Sequence, residues 1–272
     1  MGRPPALDRR PDRAAPALGH RWPGRRRGRH RAHAGRAPPV TAPGAPTEVL
    51  AWWAAGEEHL ATGLGRLTDE ELDTPSLLPG WTRHRLLAHV ARNADALVNL
   101  LTWARTGVET PMYASADARA AGIDSAAALS PVDLRSEVLG SVVRLAAAVD
   151  ALPDDAWSAQ VRTAQGRAVP ATEVPWMRCR EVWVHAVDLD TGVGFDEVPE
   201  ELAAALVDDV FRMWDRRDEV PDVVLFAGDR TWGTGALAVS GELPAVLAWA
   251  TGRSDGADLT ADGPLPVLPA WL

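Results

Sequence analysis

The stretch CREVWVHAVDLD, residues 179–190, sets the strongest constraint on how this chain folds. Glu181 and His185 stand there among Val, Trp, Ala and Leu residues, and a buried carboxylate without a partner is strongly unfavourable. The usual solutions are an ion pair, protonation or a bound metal. The rest of the chain must therefore supply a partner for Glu181.

The same segment predicts a helix over about 172–190. On this helix Arg178, Glu181, His185 and Asp188 follow one another at spacings of three or four residues, so they form one stripe. Most other positions are apolar, which is typical of a buried helix. We therefore expect the stripe to face an internal cavity.

The spacing of Glu181 and His185 suits a metal site, because side chains one helical turn apart can reach one cation. A catalytic zinc site has three protein ligands and one open position. His89, in LLAHVARNADAL at the border of an apolar and a polar helix face, is the best third ligand. His59 and His84 lie among charged residues, and we interpret both as solvated.

Spacing alone leaves a second interpretation open. The pattern E-x-x-x-H is frequent by chance. Glu181 could pair only with Arg178 or with the histidine one turn away, leaving His89 an ordinary border histidine. In a metal site, Asp188 or Asn93 could orient a ligating imidazole from behind.

Hydrophobic periodicity predicts a mainly α fold with a smaller α+β part. Four long helices are expected, and they span about 47–67, 82–107, 130–152 and 172–190. Thr47, Thr82 and Ser130 are the expected N-caps, and Gly107 ends the second helix. Four helices with a crossover insertion suggest a bundle, in which metal sites form from inward side chains.

The remaining segments complete the predicted organisation. Residues 107–130 are expected to be a loop with weak helical patches, and Gln165 and Gly166 the turn of a two-stranded hairpin. After Pro199, a helix, two alternating strands and a short helix predict a small α+β domain. The predicted parts are a leader over 1–45, a metal-binding four-helix bundle over 46–195 and an α+β domain over 196–272.

The charge is unevenly distributed along the chain. Residues 1–40 contain eleven Arg against Asp8 and Asp12, a net charge of +9, whereas the whole chain is −9. The acidic body argues against nucleic acid as a partner. The basic segment could be a nucleic-acid arm, but its Pro and Gly content and lack of periodicity favour a disordered leader.

Hydropathy and cysteine usage predict a cytoplasmic protein. No run of about 18 consecutive apolar residues occurs, so no membrane span is expected, and residues 1–40 lack the apolar core of a secretory signal. Cys179 is the only cysteine, which excludes an intramolecular disulfide and is typical of a reducing compartment. We interpret its thiol as a small buried hydrophobe.

Two longer runs carry a family resemblance. LLPGWTRHRLLAHVARNADALVNLLTWARTGVETPMYAS and VPWMRCREVWVHAVDLDTG resemble the mycothiol-dependent maleylpyruvate isomerases of actinobacteria. RNADAL, ARTGVETPMY and REVWVHAVDLDTG are the more specific elements, whereas PGWT and AHVA recur across the mycothiol-associated superfamily. The resemblance runs from about Thr47 to the C-terminus. It implies a DinB-like four-helix bundle followed by a small sterol-carrier-like α+β domain.

The resemblance also implies a zinc site of His89, Glu181 and His185, with mycothiol as the thiol cofactor. An arginine of the C-terminal part belongs to the family's active site, and Arg253 in AWATGR is the best match, ahead of Arg230. The implied reaction converts maleylpyruvate to fumarylpyruvate in gentisate-type aromatic degradation by thiolate addition, bond rotation and elimination. Zinc would hold the sulfur as thiolate, and the arginine would bind a substrate carboxylate.

Two other functions remain open at this point. A mycothiol S-transferase of the same fold would share the zinc ligands but act on another electrophile. A non-enzymatic binding module would use the metal only for stability. In each case we expect a small-molecule partner, no nucleic acid and no membrane association, while the sequence leaves the oligomeric state undetermined.

Deleting residues 1–40 is expected to leave folding and activity intact, because this Arg- and Pro-rich segment has too little apolar content to build a core. Thermal unfolding and turnover of the truncated protein test this. Aggregation or lost turnover would show that the segment is structural.

Overall fold

The computed structural model describes residues 44–271, where helices dominate. Seven α-helices occur in this part of the chain: α1 (Thr47–Arg66), α2 (Arg83–Thr106), α3 (Ala116–Ala127), α4 (Pro131–Asp150), α5 (Glu173–Asp188), α6 (Glu200–Arg216) and α7 (Leu243–Ala250). Short 3-10 turns occupy Glu70–Asp73, Asp154–Ser158 and Phe195–Glu197. The predicted mainly α fold with a smaller α+β part is confirmed.

Two small sheets accompany the helices in the described residues. β1 (Gln160–Arg162) and β2 (Ala168–Pro170) form the predicted antiparallel hairpin. The second sheet has the order β4-β3-β5-β6, and its strands are β3 (Val223–Ala227), β4 (Arg230–Trp232), β5 (Leu237–Ser240) and β6 (Thr260–Ala261). β3 and β5 are parallel, and the other neighbours are antiparallel. The sequence predicted β3 and β5 but not β4 and β6, which are too short to show a period.

The four predicted helices form the bundle, as α1, α2, α4 and α5. α1 packs against α5, and α2 packs against both α4 and α5. Gly56 permits the close approach of α1 to α5, because a Cβ there would lie 2.5 Å from Val182 Cγ2 and 2.7 Å from Trp183 Nε1. The pairing of α2 with α5 is what brings the predicted metal ligands to facing helices.

Local capping signals predicted two of the helix starts correctly. The Thr82 hydroxyl accepts from Arg85 N at 3.2 Å, and Ser130 caps α4 in the same way. Gly107 ends α2 with φ of 71°, a left-handed conformation that glycine adopts without strain. The prediction that Thr47 is an N-cap was wrong, because Pro46 occupies the N-cap position and Thr47 is the first residue of α1: the Pro46 carbonyl accepts from Leu50 N at 3.0 Å, and no side chain caps this end.

Residues 107–130 were predicted to be a loop with weak helical patches, but a continuous 12-residue helix, α3, occupies Ala116–Ala127. Ser115 caps this helix, its hydroxyl accepting from Ala118 N at 3.0 Å. Only Ile123 and Ala126 of α3 are buried. The helix therefore rests on alanine propensity rather than on an apolar stripe, which is why periodicity did not reveal it.

The described residues belong to one compact unit. The predicted boundary between a bundle over 46–195 and a domain over 196–272 therefore stays a prediction. The predicted leader lies almost wholly outside the described residues. None of the helices within 44–271 is long and apolar enough to cross a membrane.

Candidate metal site

The predicted ligands meet where α2 packs against α5. His89 lies in the middle of α2, and Glu181 and His185 lie one turn apart on α5. Glu181 Oε2 is 3.1 Å from His89 Nε2 and 3.3 Å from His185 Nε2. The ligand atoms of the three residues all lie within 4.8 Å of one another, the one such group of His, Cys, Asp or Glu found among residues 44–271.

These separations suit a tetrahedral metal ion. Ligand atoms at 2.0–2.1 Å from zinc in tetrahedral geometry lie about 3.3 Å apart, close to the two measured distances. The two imidazole rings are nearly perpendicular, at 81°, with their centroids 5.2 Å apart. Two neutral imidazoles and one carboxylate form a donor set that leaves a fourth position for an exogenous ligand.

Asp188 contacts His185 at Nδ1, the ring nitrogen that does not face Glu181. Its Oδ2 atom is 2.8 Å from His185 Nδ1, which leaves Nε2 for a metal. Arg253 donates to the same carboxylate through Nε at 3.1 Å and Nη2 at 2.9 Å, and Nη1 donates to the Thr251 carbonyl at 2.6 Å. Asp188 therefore contacts the imidazole that the sequence analysis suggested it could orient, and Arg253 connects the C-terminal part to Asp188.

The ionisable groups of the His89–Glu181–His185 cluster have shifted pKa values. Burial alone would lower the pKa of His185, but hydrogen bonds and charge from Asp188 and Glu181 outweigh it and raise the pKa to about 9. Burial lowers the pKa of His89. Burial alone would raise the pKa of Glu181, yet hydrogen bonds to the two histidines hold it well below its usual range. At neutral pH a protonated His185 therefore lies between two carboxylates, and His89 is neutral.

Metal binding at neutral pH is expected to release about one proton, because a metal binds neutral imidazole and must displace the proton of His185. Apparent metal affinity should rise about tenfold per pH unit up to the pKa of about 9 and level off above it. Titration calorimetry in buffers of different ionisation enthalpy counts the proton. An affinity independent of pH between 6 and 8 would contradict this charge assignment.

The three ligands open into a cavity of about 510 Å³, within the size range of small-molecule sites. Its walls include the loop 77–81, the C-terminal residues Ala270 and Trp271, and the tip of the β1–β2 hairpin. Three guanidinium groups line it, those of Arg119, Arg180 and Arg253.

One part of the predicted stripe turns away from the cavity. Arg178 is fully buried against α1, where Nε lies 2.7 Å and Nη2 3.2 Å from the Glu57 carboxylate. Its Nη1 donates to the carbonyl of Val90 and to Asn93 Oδ1. A Glu181–Arg178 pair is therefore excluded, and Asn93 does not orient an imidazole.

The solvated interpretation of His59 and His84 was wrong. His84 is buried with Nδ1 3.5 Å from Asp73, and the side chain of His59 is 12% exposed and packs on the Trp183 ring. Neither belongs to the ligand cluster. Cys179 is buried as expected, and burial raises the pKa of its thiol to about 12, which disfavours a thiolate nucleophile.

Sequence reasoning missed Arg119, which lies on the unpredicted helix α3. Its Nη2 is 3.4 Å from His89 Nδ1, and its guanidinium lies 5.7 Å from the centre of the Tyr113 ring. No spacing rule connects Arg119 to the ligands. A correct helix prediction for α3, with its packing against α2, was the one signal that could have found it.

Fold and site together define a helix-bundle protein in which three residues that could hold a metal ion lie beside an arginine-lined cavity. Residues 53–190 match the family model described as the mycothiol maleylpyruvate isomerase N-terminal domain. A crystal structure of a mycothiol-dependent maleylpyruvate isomerase shares 40% identity and a TM-score of 0.79, covering 83% of this chain and 96% of that chain. A variant of such an isomerase with one histidine replaced by alanine shares 39% identity at the same coverage and TM-score. No curated protein matches the sequence significantly.

The chain belongs to the mycothiol-dependent maleylpyruvate isomerase family. The resemblance predicted from the sequence is confirmed, and with it the assignment to an enzyme of the isomerase type.

Proposed function

We propose that this protein converts maleylpyruvate to fumarylpyruvate, with mycothiol as the thiol cofactor, in gentisate-type aromatic degradation. The observation that carries the proposal is the convergence of His89, Glu181 and His185 on one point at the wall of a 510 Å³ cavity. The family match and the 40% identity over most of both chains support the reaction class.

We propose zinc as the metal, held by His89 Nε2, His185 Nε2 and a Glu181 carboxylate oxygen. The two imidazoles and one carboxylate, and the separations of 3.1 and 3.3 Å, fit this ion. Bound zinc lowers the pKa of a coordinated thiol and so supplies a thiolate at neutral pH. Asp188 fixes the His185 tautomer through its hydrogen bond to Nδ1.

The reaction requires rotation about a carbon–carbon double bond, which does not occur at a useful rate unless the bond order is lowered. Reversible addition of a thiolate does this, because thiolates both add and leave readily. Negative charge then develops on the substrate. We propose that Arg253, whose guanidinium lines the cavity, stabilises that charge with the N–H groups it does not use on Asp188 and Thr251.

The side chains of the cluster are largely shielded from water, at 9% exposure for His89, 15% for Glu181 and 13% for His185. Trp81 and Val184 border the ligands, and Trp271, which is 3% exposed, closes the C-terminal side. Trp81 also stacks edge-on against the His89 ring with centroids 5.7 Å apart. Limited water access strengthens the electrostatic action of the arginines on a reacting anion.

An absorbance assay of maleylpyruvate with purified protein, zinc and mycothiol tests the proposal. We expect turnover that requires both the metal and the thiol. Thiol addition to other electrophiles without maleylpyruvate turnover would instead indicate an S-transferase. Stoichiometric zinc with no thiol chemistry would indicate a metal-stabilised binding module.

A further inference from the structure

A second, smaller cavity of about 90 Å³ adjoins the metal ligands. It shares His89, Arg119, Gln165, Arg180 and Glu181 with the larger cavity, and it is bounded by α2, α3, α5 and the tip of the β1–β2 hairpin. We call it the polar lobe, after the side chains that line it: Asn93, Tyr113, Arg119, Thr163, Gln165 and Arg180.

Three arginines line the larger cavity, and Arg119 is the one whose guanidinium has no carboxylate partner within residues 44–271. Arg180 pairs with Asp209 at 3.0 Å, and Arg253 is held by Asp188. Arg119 instead contacts two uncharged groups, His89 Nδ1 at 3.4 Å and the Tyr113 hydroxyl. A partly buried cation without a counter-charge favours the binding of an anion.

A bound metal ion would make the binding of an anion beside Arg119 more favourable. When Nε2 of a neutral histidine binds a metal, the ring proton lies on Nδ1. His89 Nδ1 and Arg119 Nη2 are then both donors and cannot satisfy each other. A carboxylate has two oxygens that accept hydrogen bonds, so it can satisfy both groups at once.

Arg180 adds a second unsatisfied donor to the lobe. Its Nε is buried and has no hydrogen-bond partner among the described residues, although Nη1 is bound by Asp209. The one carboxylate lining the lobe is Glu181, whose charge would be offset by the metal it binds. The lobe as a whole therefore presents donors and positive charge.

The size of the lobe restricts what it can hold. Ligand pockets usually measure about 300–1,000 Å³, whereas a volume of about 90 Å³ accommodates a few water molecules. It is too small for a whole substrate or a thiol cofactor. Because it touches two metal ligands, its occupant must be attached within an atom or two of the reacting carbons.

We infer that the polar lobe is a carboxylate subsite, in which Arg119 binds the carboxylate attached directly to the reacting double bond of the substrate. This inference rests on the proposed function, since it takes the cis-enoic acid half of maleylpyruvate as the ligand. The subsite would fix the double bond beside the metal and select for substrates with an α,β-unsaturated carboxylate.

Steady-state kinetics of Arg119→Ala, Arg119→Gln and Arg119→Lys test the subsite, with Arg105→Ala, an exposed arginine at the end of α2, as the matched control. We expect Arg119→Ala and Arg119→Gln to raise KM for maleylpyruvate at least tenfold, with metal content unchanged and KM for mycothiol within twofold. Arg119→Lys should recover part of the loss. A shift in the KM for mycothiol instead, or no change, would overturn the inference.

Binding of cis-crotonate, which carries a single carboxylate on its double bond, and of the corresponding amide, cis-crotonamide, to the zinc-loaded protein provides a test that does not depend on turnover. The wild type should bind cis-crotonate at least tenfold more tightly than the amide, and Arg119→Ala should lose that preference. If the wild type lacks isomerase activity but shows this Arg119-dependent preference, the proposed function fails and the subsite stands. If turnover is normal and the preference is the same in both proteins, the subsite fails alone.

Discussion

Replacing His89, Glu181 or His185 by alanine is expected to remove most of the bound metal and nearly all isomerase activity. In the proposed site each residue supplies one of three protein ligands, and a zinc ion held by two protein ligands is far more weakly bound. Metal analysis of the purified variants and the maleylpyruvate assay measure both effects. Glu181→Gln serves as a matched variant, because it keeps the side-chain shape and removes the negative charge.

His185→Ala should also destabilise the metal-free protein, by on the order of 2 kcal/mol. The variant leaves Glu181 beside His89 without the protonated imidazole that compensates it. The cost falls below the roughly 3–5 kcal/mol of a fully buried broken pair, because the Glu181 side chain keeps 15% exposure. Arg253 continues to neutralise Asp188. Urea unfolding of the wild type and the variant in the presence of a chelator gives the difference in their free energies of unfolding.

His59→Ala and His84→Ala are the controls, since both histidines are buried or nearly so yet lie outside the ligand cluster. Both should retain a full equivalent of metal, even where they lose some stability. The assignment fails if the wild type carries no stoichiometric metal and added zinc does not restore thiol-dependent turnover. Glu181 and His185 would then be a self-paired structural feature.

The cluster of His89, Glu181 and His185 could be predicted because part of its pattern is local in the sequence. Two of them lie one turn apart on a helix that has to be buried, and few other histidines were available in the body of the chain. The partner of Arg178 could not be predicted in this way. It is Glu57, which is 121 residues away in the sequence, and only the packing of α1 on α5 brings the two together.

The difference between local and long-range contacts also explains which parts of the fold could be predicted. Thr82 and Ser130 were identified because a cap is a contact between residues three apart. α3 was missed because its stability comes from alanine content and a cap rather than from a buried stripe. Because α3 was not predicted, Arg119 was not predicted as a site residue either. The orientation of a side chain cannot be inferred for a residue that is assigned to a loop.

Arg253 is the predicted catalytic residue, and Arg253→Ala is expected to lower kcat/KM by about 2–4 kcal/mol, or roughly 30- to 1,000-fold. Its guanidinium lines the cavity and would meet charge that develops on the substrate. Arg230, the other arginine suggested by the sequence, is not an alternative. It pairs with Glu201 at 2.6 Å and does not line the cavity, so Arg230→Ala is a matched control that should keep full activity.

The bidentate contact of Arg253 with Asp188 allows a second explanation of the same loss, and zinc titration separates the two. If Arg253 only positions His185 through Asp188, the variant should bind zinc about 10- to 100-fold more weakly, and excess zinc should restore turnover. If Arg253 stabilises the reacting substrate, activity should stay low at saturating zinc. We expect the second result, because Asp188 still holds His185 Nδ1 at 2.8 Å without help from the arginine. Full recovery with excess zinc would make Arg253 a positioning residue and leave Arg119 as the cavity arginine that meets the substrate.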